Sequence, residues 1–86
     1  MRTLKDIGTV CMEGYSFRKS TDLSDNETIV LEARGSEIID DYGDKRPDSR
    51  VMMAGKKVAS YIRARGFNAE TMGQEKGWVT VFITDK

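Results

Sequence analysis

The stretch Asp48–Gly66 constrains this chain more than any other, because its apolar residues keep to one period. Val51, Ala54, Gly55, Val58 and Ile62 recur at the three- and four-residue spacing of a single helical face. Met53, Lys56, Ser60 and Arg63 fall on the opposite face, with Lys57 and Ala64 beside them. Pro47 disfavours an earlier continuous helix, and Asp48 or Ser49 supplies the starting cap. Gly66 predicts a left-handed stop. Phe67 then stands where a Schellman end makes its contact back to Ile62, while Arg63 and Arg65 suit the negative end of the helix dipole.

A hairpin follows: Phe67–Met72, a turn over Gly73–Gly77, and Trp78–Thr84. The last strand alternates cleanly. Val79, Val81 and Ile83 point one way, and Trp78, Thr80, Phe82 and Thr84 the other. The β-branched set is the natural partner of the helix stripe, which leaves Trp78 and Phe82 on the second face of the sheet.

Upstream, Ile7–Phe17 reads as a strand, with Val10 and Met12 on one side and Ile7, Thr9 and Cys11 on the other. Gly8 and Gly14 weaken it and mark a bulge or close approach. Met1–Asp6 is a lead-in, and Arg18–Asn26 is a polar connecting loop. Glu27–Arg34 is a strand whose Ile29, Leu31 and Ala33 share one face, and Gly35 ends it. Ser36–Tyr42 predicts one or two helical turns capped by Ser36, with Ile38 and Ile39 seeking burial; Asp40–Arg50 is a charged loop. The expected fold is α+β and two-layered: an antiparallel four-stranded sheet with one long helix packed on one face, in the order β-β-(short α)-α-β-β.

At 86 residues the chain is expected to form one small domain, residues 1–86, near the lower limit of what a single core supports. The single cysteine, Cys11, allows no internal disulfide and fits a reducing compartment. No apolar run reaches the length of about 18 residues that spans a bilayer, and the N-terminus lacks a signal peptide's apolar core, so the expected location is cytoplasmic.

The chain has no histidine, which removes the usual triads and histidine-based metal sites. Without a base, Cys11 reads as a packed small hydrophobe rather than a nucleophile. On an open helix face nothing would lower the pKa of Lys56 or Lys57 to activate Ser60. Asp40, Asp41 and Asp44 form a carboxylate cluster of the kind that holds magnesium or calcium, but the spacing is not that of an EF-hand loop, so a solvated acidic loop is favoured. The glycines make no phosphate-binding loop. No catalytic residue, cofactor or metal is expected, and the protein is read as a non-enzyme.

Charge is segregated although the net charge is zero. Up to Asp44 there are five basic and ten acidic residues; from Lys45 onward, nine basic and four acidic. One reading is mutual neutralisation across a small fold, and the other is a flank that attracts a charged partner. The basic set Arg46, Arg50, Lys56, Lys57 and Arg63 motivates an alternative function as a nucleic-acid-binding module. Lys76–Phe82 touches on the first ribonucleoprotein motif of RNA-recognition domains, yet Thr80 and Ile83 stand where stacking aromatics are required.

The favoured expectation is a binding protein acting as regulator, adaptor or inhibitor, in the manner of small inhibitors from phages and mobile elements. Trp78, Phe82 and Val30 on the free sheet face, with Met53, Lys56, Lys57 and Arg63 on the helix, are the candidate partner-binding residues. The partner is expected to be another protein, with self-association as a homodimer compatible and no membrane involved.

Overall fold

The computed structural model describes residues 3–86. It contains seven strands and one α-helix: β1 Val10–Met12, β2 Tyr15–Lys19, β3 Thr28–Arg34, β4 Glu37–Ile39, β5 Lys45–Pro47, α1 Ser49–Arg63, β6 Phe67–Gly73 and β7 Trp78–Asp85. Five strands form one antiparallel sheet in the order β1-β2-β3-β7-β6, curled into a half-barrel, while β4 and β5 make a separate hairpin. The fold is α+β, with α1 packed on the curled sheet. Of the lead-in, Met1 and Arg2 lie outside the described residues; Leu4–Asp6 forms a single 3-10 turn whose Leu4 joins the core.

The helix forms where its periodicity places it. Asp48 accepts hydrogen bonds from the amides of Arg50 and Val51, both at 3.0 Å, and so satisfies two donors that the first turn would otherwise leave open. Val51, Ala54, Gly55, Val58, Ala59 and Ile62 are buried. Full burial of Val51, Val58 and Ile62 contributes about 1.5–3 kcal/mol each. Across the interface stand Ile29, Leu31 and Ala33 of β3, Val79, Val81 and Ile83 of β7, Phe67 and Ala69 of β6, and Phe17 of β2. The alternation of β3 and β7 therefore has the expected sense, with Trp78 and Phe82 on the outer side.

Gly55 permits this packing. A Cβ there would stand 2.7 Å from Val79 Cγ1 and 2.8 Å from Thr71 Cγ2, and Thr71 Oγ1 donates to the Gly55 carbonyl at 3.0 Å. The helix end differs in detail from the Schellman pattern. Arg65 and Gly66 donate to the carbonyls of Ile62 and Arg63, which are i→i−3 bonds, and Gly66 takes φ 95 before β6 begins directly at Phe67.

Three expectations are corrected. The sheet has five strands, because Ile7–Phe17 is a hairpin: Glu13 and Gly14 take φ 52 and 82, a two-residue turn between Met12 and its partner Tyr15. Cys11 is exposed rather than packed, since the core side of β1 is taken by Val10 and Met12. The segment Ser36–Tyr42 is no helix. Asp40 draws the following amides onto its own side chain, which turns the chain back and pairs Glu37–Ile39 with Lys45–Pro47.

Candidate functional site

The β4–β5 hairpin is held at its root and at its tip. At the root, the Asp48 amide donates to Ser36 O at 2.8 Å and the Gly35 amide to Gly77 O at 2.9 Å. Pro47 is buried against Gly73. At the tip, the Asp40 carboxylate accepts from the amides of Tyr42 and Asp44, both at 2.9 Å, and from Arg46 Nε at 2.7 Å. The Asp40 backbone closes the loop with further bonds to Gly43 and Asp44. The Asp44 amide is the largest cause holding the Asp40 carboxyl below its ordinary value; desolvation partly opposes it, and the Tyr42 amide and Arg46 add to the lowering.

This braced hairpin presents apolar side chains to solvent. Ile38 is 47% exposed, Ile39 70% and Tyr42 88%. The burial expected for the two isoleucines is therefore not found: on a two-stranded ribbon that stands off the core, neither face has a layer to cover it. Glu37, Asp41 and Asp44 put negative charge on the hairpin, while Arg46 and Lys45 stand directly across from Ile38 and Ile39. The carboxylates do not converge on a metal. Among the described residues no group of three or more histidine, cysteine or acidic side chains is placed to hold an ion, and Asp40 is spent on the turn.

Beside the root of the hairpin lies a groove of about 690 Å³, lined by Glu13, Gly14 and Tyr15 of the β1–β2 turn and by Ser49, Arg50, Met53 and Lys57 of α1. Lys57 Nζ reaches Glu13 at 2.6 Å across it. Met53 is 53% exposed at its edge.

The residues singled out on the sheet and helix are dispersed. Trp78 is half-buried, with the Arg34 guanidinium 5.9 Å from the ring centroid, and Phe82 is also half-buried. Val30 contributes no surface. It is fully buried where the loop after β2 tucks in, with Ser24 Oγ accepting from the Val30 amide at 2.9 Å and the Ser20 amide reaching Val30 O at 2.8 Å. Thr80 on the same face is 1% exposed, but Thr28, Glu32 and Thr84 are only half-buried and Asn68, Glu70 and Met72 are exposed, so the chain itself covers only part of the outer side.

The basic set is similarly divided. Arg46 is bound to Asp40 and Lys57 to Glu13, while Arg63 donates to Ala69 O at 2.7 Å and to Ser60 Oγ at 3.2 Å. Arg50 lines the groove and Lys56 is exposed on the helix.

Tyr42, Ile38 and Ile39 escaped selection as site residues. The signal for them was present: an Asp40-to-Gly43 turn after two adjacent β-branched residues is a hairpin signature as well as a weak helix. No helix of the described residues is long and apolar enough to cross a membrane. No protein-family model, curated protein or solved structure matches the chain.

Proposed function

We propose that this protein works by occupying a surface of another protein, as a regulator, adaptor or inhibitor, and that it does so without catalysis. One observation carries the reading: the most exposed large apolar side chains, Tyr42 and Ile39, are displayed on a hairpin fastened at both ends. Leaving such groups in water forgoes about 1.5–3 kcal/mol each relative to burial, a cost that a docking partner removes. Tyrosine is among the residues enriched at binding hot spots. A tip fixed by Asp40 loses little conformational freedom on docking, so more of the contact energy remains as affinity.

The hairpin, rather than the outer sheet face, is the main docking surface. Trp78 and Phe82 become flanking contacts, and Val30 drops out because it offers no surface. The state of the cations supports a protein partner over a nucleic acid. Arg46 is held by Asp40 and Arg63 by the Ala69 carbonyl, whereas phosphate-driven binding needs positive groups free to displace counterions.

The test compares capture by the immobilised wild-type chain with capture by the Ile39→Ser/Tyr42→Ser and Trp78→Ala/Phe82→Ala variants. Circular dichroism confirms the fold of each. The hairpin variant is expected to lose the captured protein, and the sheet-face variant to keep most of it. Unchanged capture by a folded hairpin variant would sink the reading. A captured nucleic acid released steeply by salt would replace it with the alternative.

A further inference from the structure

The hairpin tip and the groove beside α1 are complementary to one another, yet they sit on the same chain and do not meet within it, since Tyr42 is 88% exposed. The tip carries an aromatic ring flanked by Asp41 and Asp44. The groove is lined by the apolar Met53 and Tyr15 and by the charged Arg50, Lys57 and Glu13, the last two bridged to each other. Building on the binding reading above, we propose that the occupant of this groove is a second copy of the chain. Each copy seats Tyr42 between the partner's Tyr15 and Met53, with Asp41 and Asp44 against the partner's Arg50 and Lys57.

Three observations favour a second copy over an unrelated protein. The first is charge. The last acidic residue of the negative half is Asp44 at the tip, and the positive half supplies the cations of α1, so one chain carries both members of an opposite-charge pair. The second is fit: the open groove, about 690 Å³, has room for one aromatic ring, and Tyr42 is the most exposed large apolar side chain of the described residues. The third is placement. Asp48 joins β5 directly to the turn of α1 that bears Ser49 and Arg50, so tip and groove extend from one joint. A two-fold axis past that joint makes the tip–groove contact twice and closes the assembly at two copies. The Lys57–Glu13 bridge does not bar this. Both side chains are about half exposed, such pairs contribute little, and the ammonium retains two further donors.

The test is sedimentation velocity on the full chain, from low micromolar to about 500 μM, a range that detects association as weak as roughly millimolar. It is run on the wild type, on Tyr42→Ser, on Arg50→Glu and on Asp41→Arg/Asp44→Arg. These positions are exposed, and glutamate near the start of α1 suits the helix dipole, so the fold is not at risk. The wild type is expected to dimerise, with the dissociation constant rising with salt. Each variant weakens the dimer by at least tenfold. Mixing Arg50→Glu with Asp41→Arg/Asp44→Arg recovers part of it, because one contact is then that of the wild type and the other sets the reversed tip against the Arg50→Glu carboxylate, with Lys57 alone unmatched. A strictly monomeric wild type, a dimer indifferent to all three variants, or a mixture that stays monomeric each overturns the proposal. A monomeric wild type leaves the binding reading to its own capture test, so the two fail separately.

Discussion

Replacing Gly55 with alanine sets two well-known effects against each other. On an exposed helix the change stabilises by about 0.8–1.0 kcal/mol, because glycine is a poor helix former. Here the added methyl would stand 2.7 Å from Val79 Cγ1 and 2.8 Å from Thr71 Cγ2, far inside the contact distance of about 3.5–4.0 Å between carbons. Neither neighbour yields easily. Val79 is fully buried in β7, and the Thr71 hydroxyl is bonded to the Gly55 carbonyl. Relief requires α1 to lift or both side chains to leave their rotamers, at about 1–3 kcal/mol, with about 1 kcal/mol more if the Thr71 bond breaks. With the Thr71 bond broken and the helix gain subtracted, the net expectation is destabilisation by about 1–3 kcal/mol, a fall of about 1–2 M in the urea midpoint for a domain of this size. In a Val79→Ala background, where Cγ1 is gone, the same change should cost about 1 kcal/mol less. A Gly55→Ala midpoint equal to or above the wild type would refute the close helix–sheet approach.

Other outcomes follow from the same contacts. Asp40→Ala should abolish exchange protection of the Tyr42 and Asp44 amides while leaving the global unfolding free energy within about 0.5 kcal/mol, because the turn stands outside the core. Since the folded pKa of Asp40 lies below the ordinary 3.8, its stabilisation of the tip is complete above that value. It is then lost as pH falls through the depressed value, which the Gly43 amide resonance should follow. Asp48→Ala removes the cap from two amides and should lower stability by about 1 kcal/mol in urea unfolding. Cys11 should react fully with a thiol reagent in the native protein, and burial-dependent protection would contradict its exposed position on β1.

The elements that declared themselves in the sequence are those whose burial enforces a period. Val51 to Ile62 and Val79 to Ile83 each face one continuous apolar layer, so spacing and structure agree. The first two hairpins did not declare themselves, the β1–β2 pair because its turn is weakly marked and the β4–β5 pair because it stands outside the core. Between β1 and β2 the only signal is Glu13-Gly14, weaker than the asparagine–glycine or aspartate–glycine pairs that mark such turns. In β4, Ile38 and Ile39 resemble a buried pair, and only the bonding of Asp40 to Tyr42, Asp44 and Arg46 decides against a helix. The exposure of Tyr42 follows from that tertiary choice. Val30 shows the reverse case: an apolar residue on the expected outer face, sealed off by a polar loop whose path depends on Ser20 and Ser24.

The sheet is not equally fastened across its width. β3 and β7 share seven register pairs, as do β7 and β6, but β2 meets β3 only through Arg18–Glu32 and Lys19–Leu31. Phe17 is the bolt at that seam, wholly inside the core, while the reversal at Glu13–Gly14 overhangs it. The cleft that faces Arg50 and Met53 therefore lies between α1 and the first hairpin, the part of the sheet joined to β3 by the fewest register pairs. Whatever closes on that cleft should also tighten the earliest strands, so amide exchange in β1 becomes a remote gauge of its occupancy.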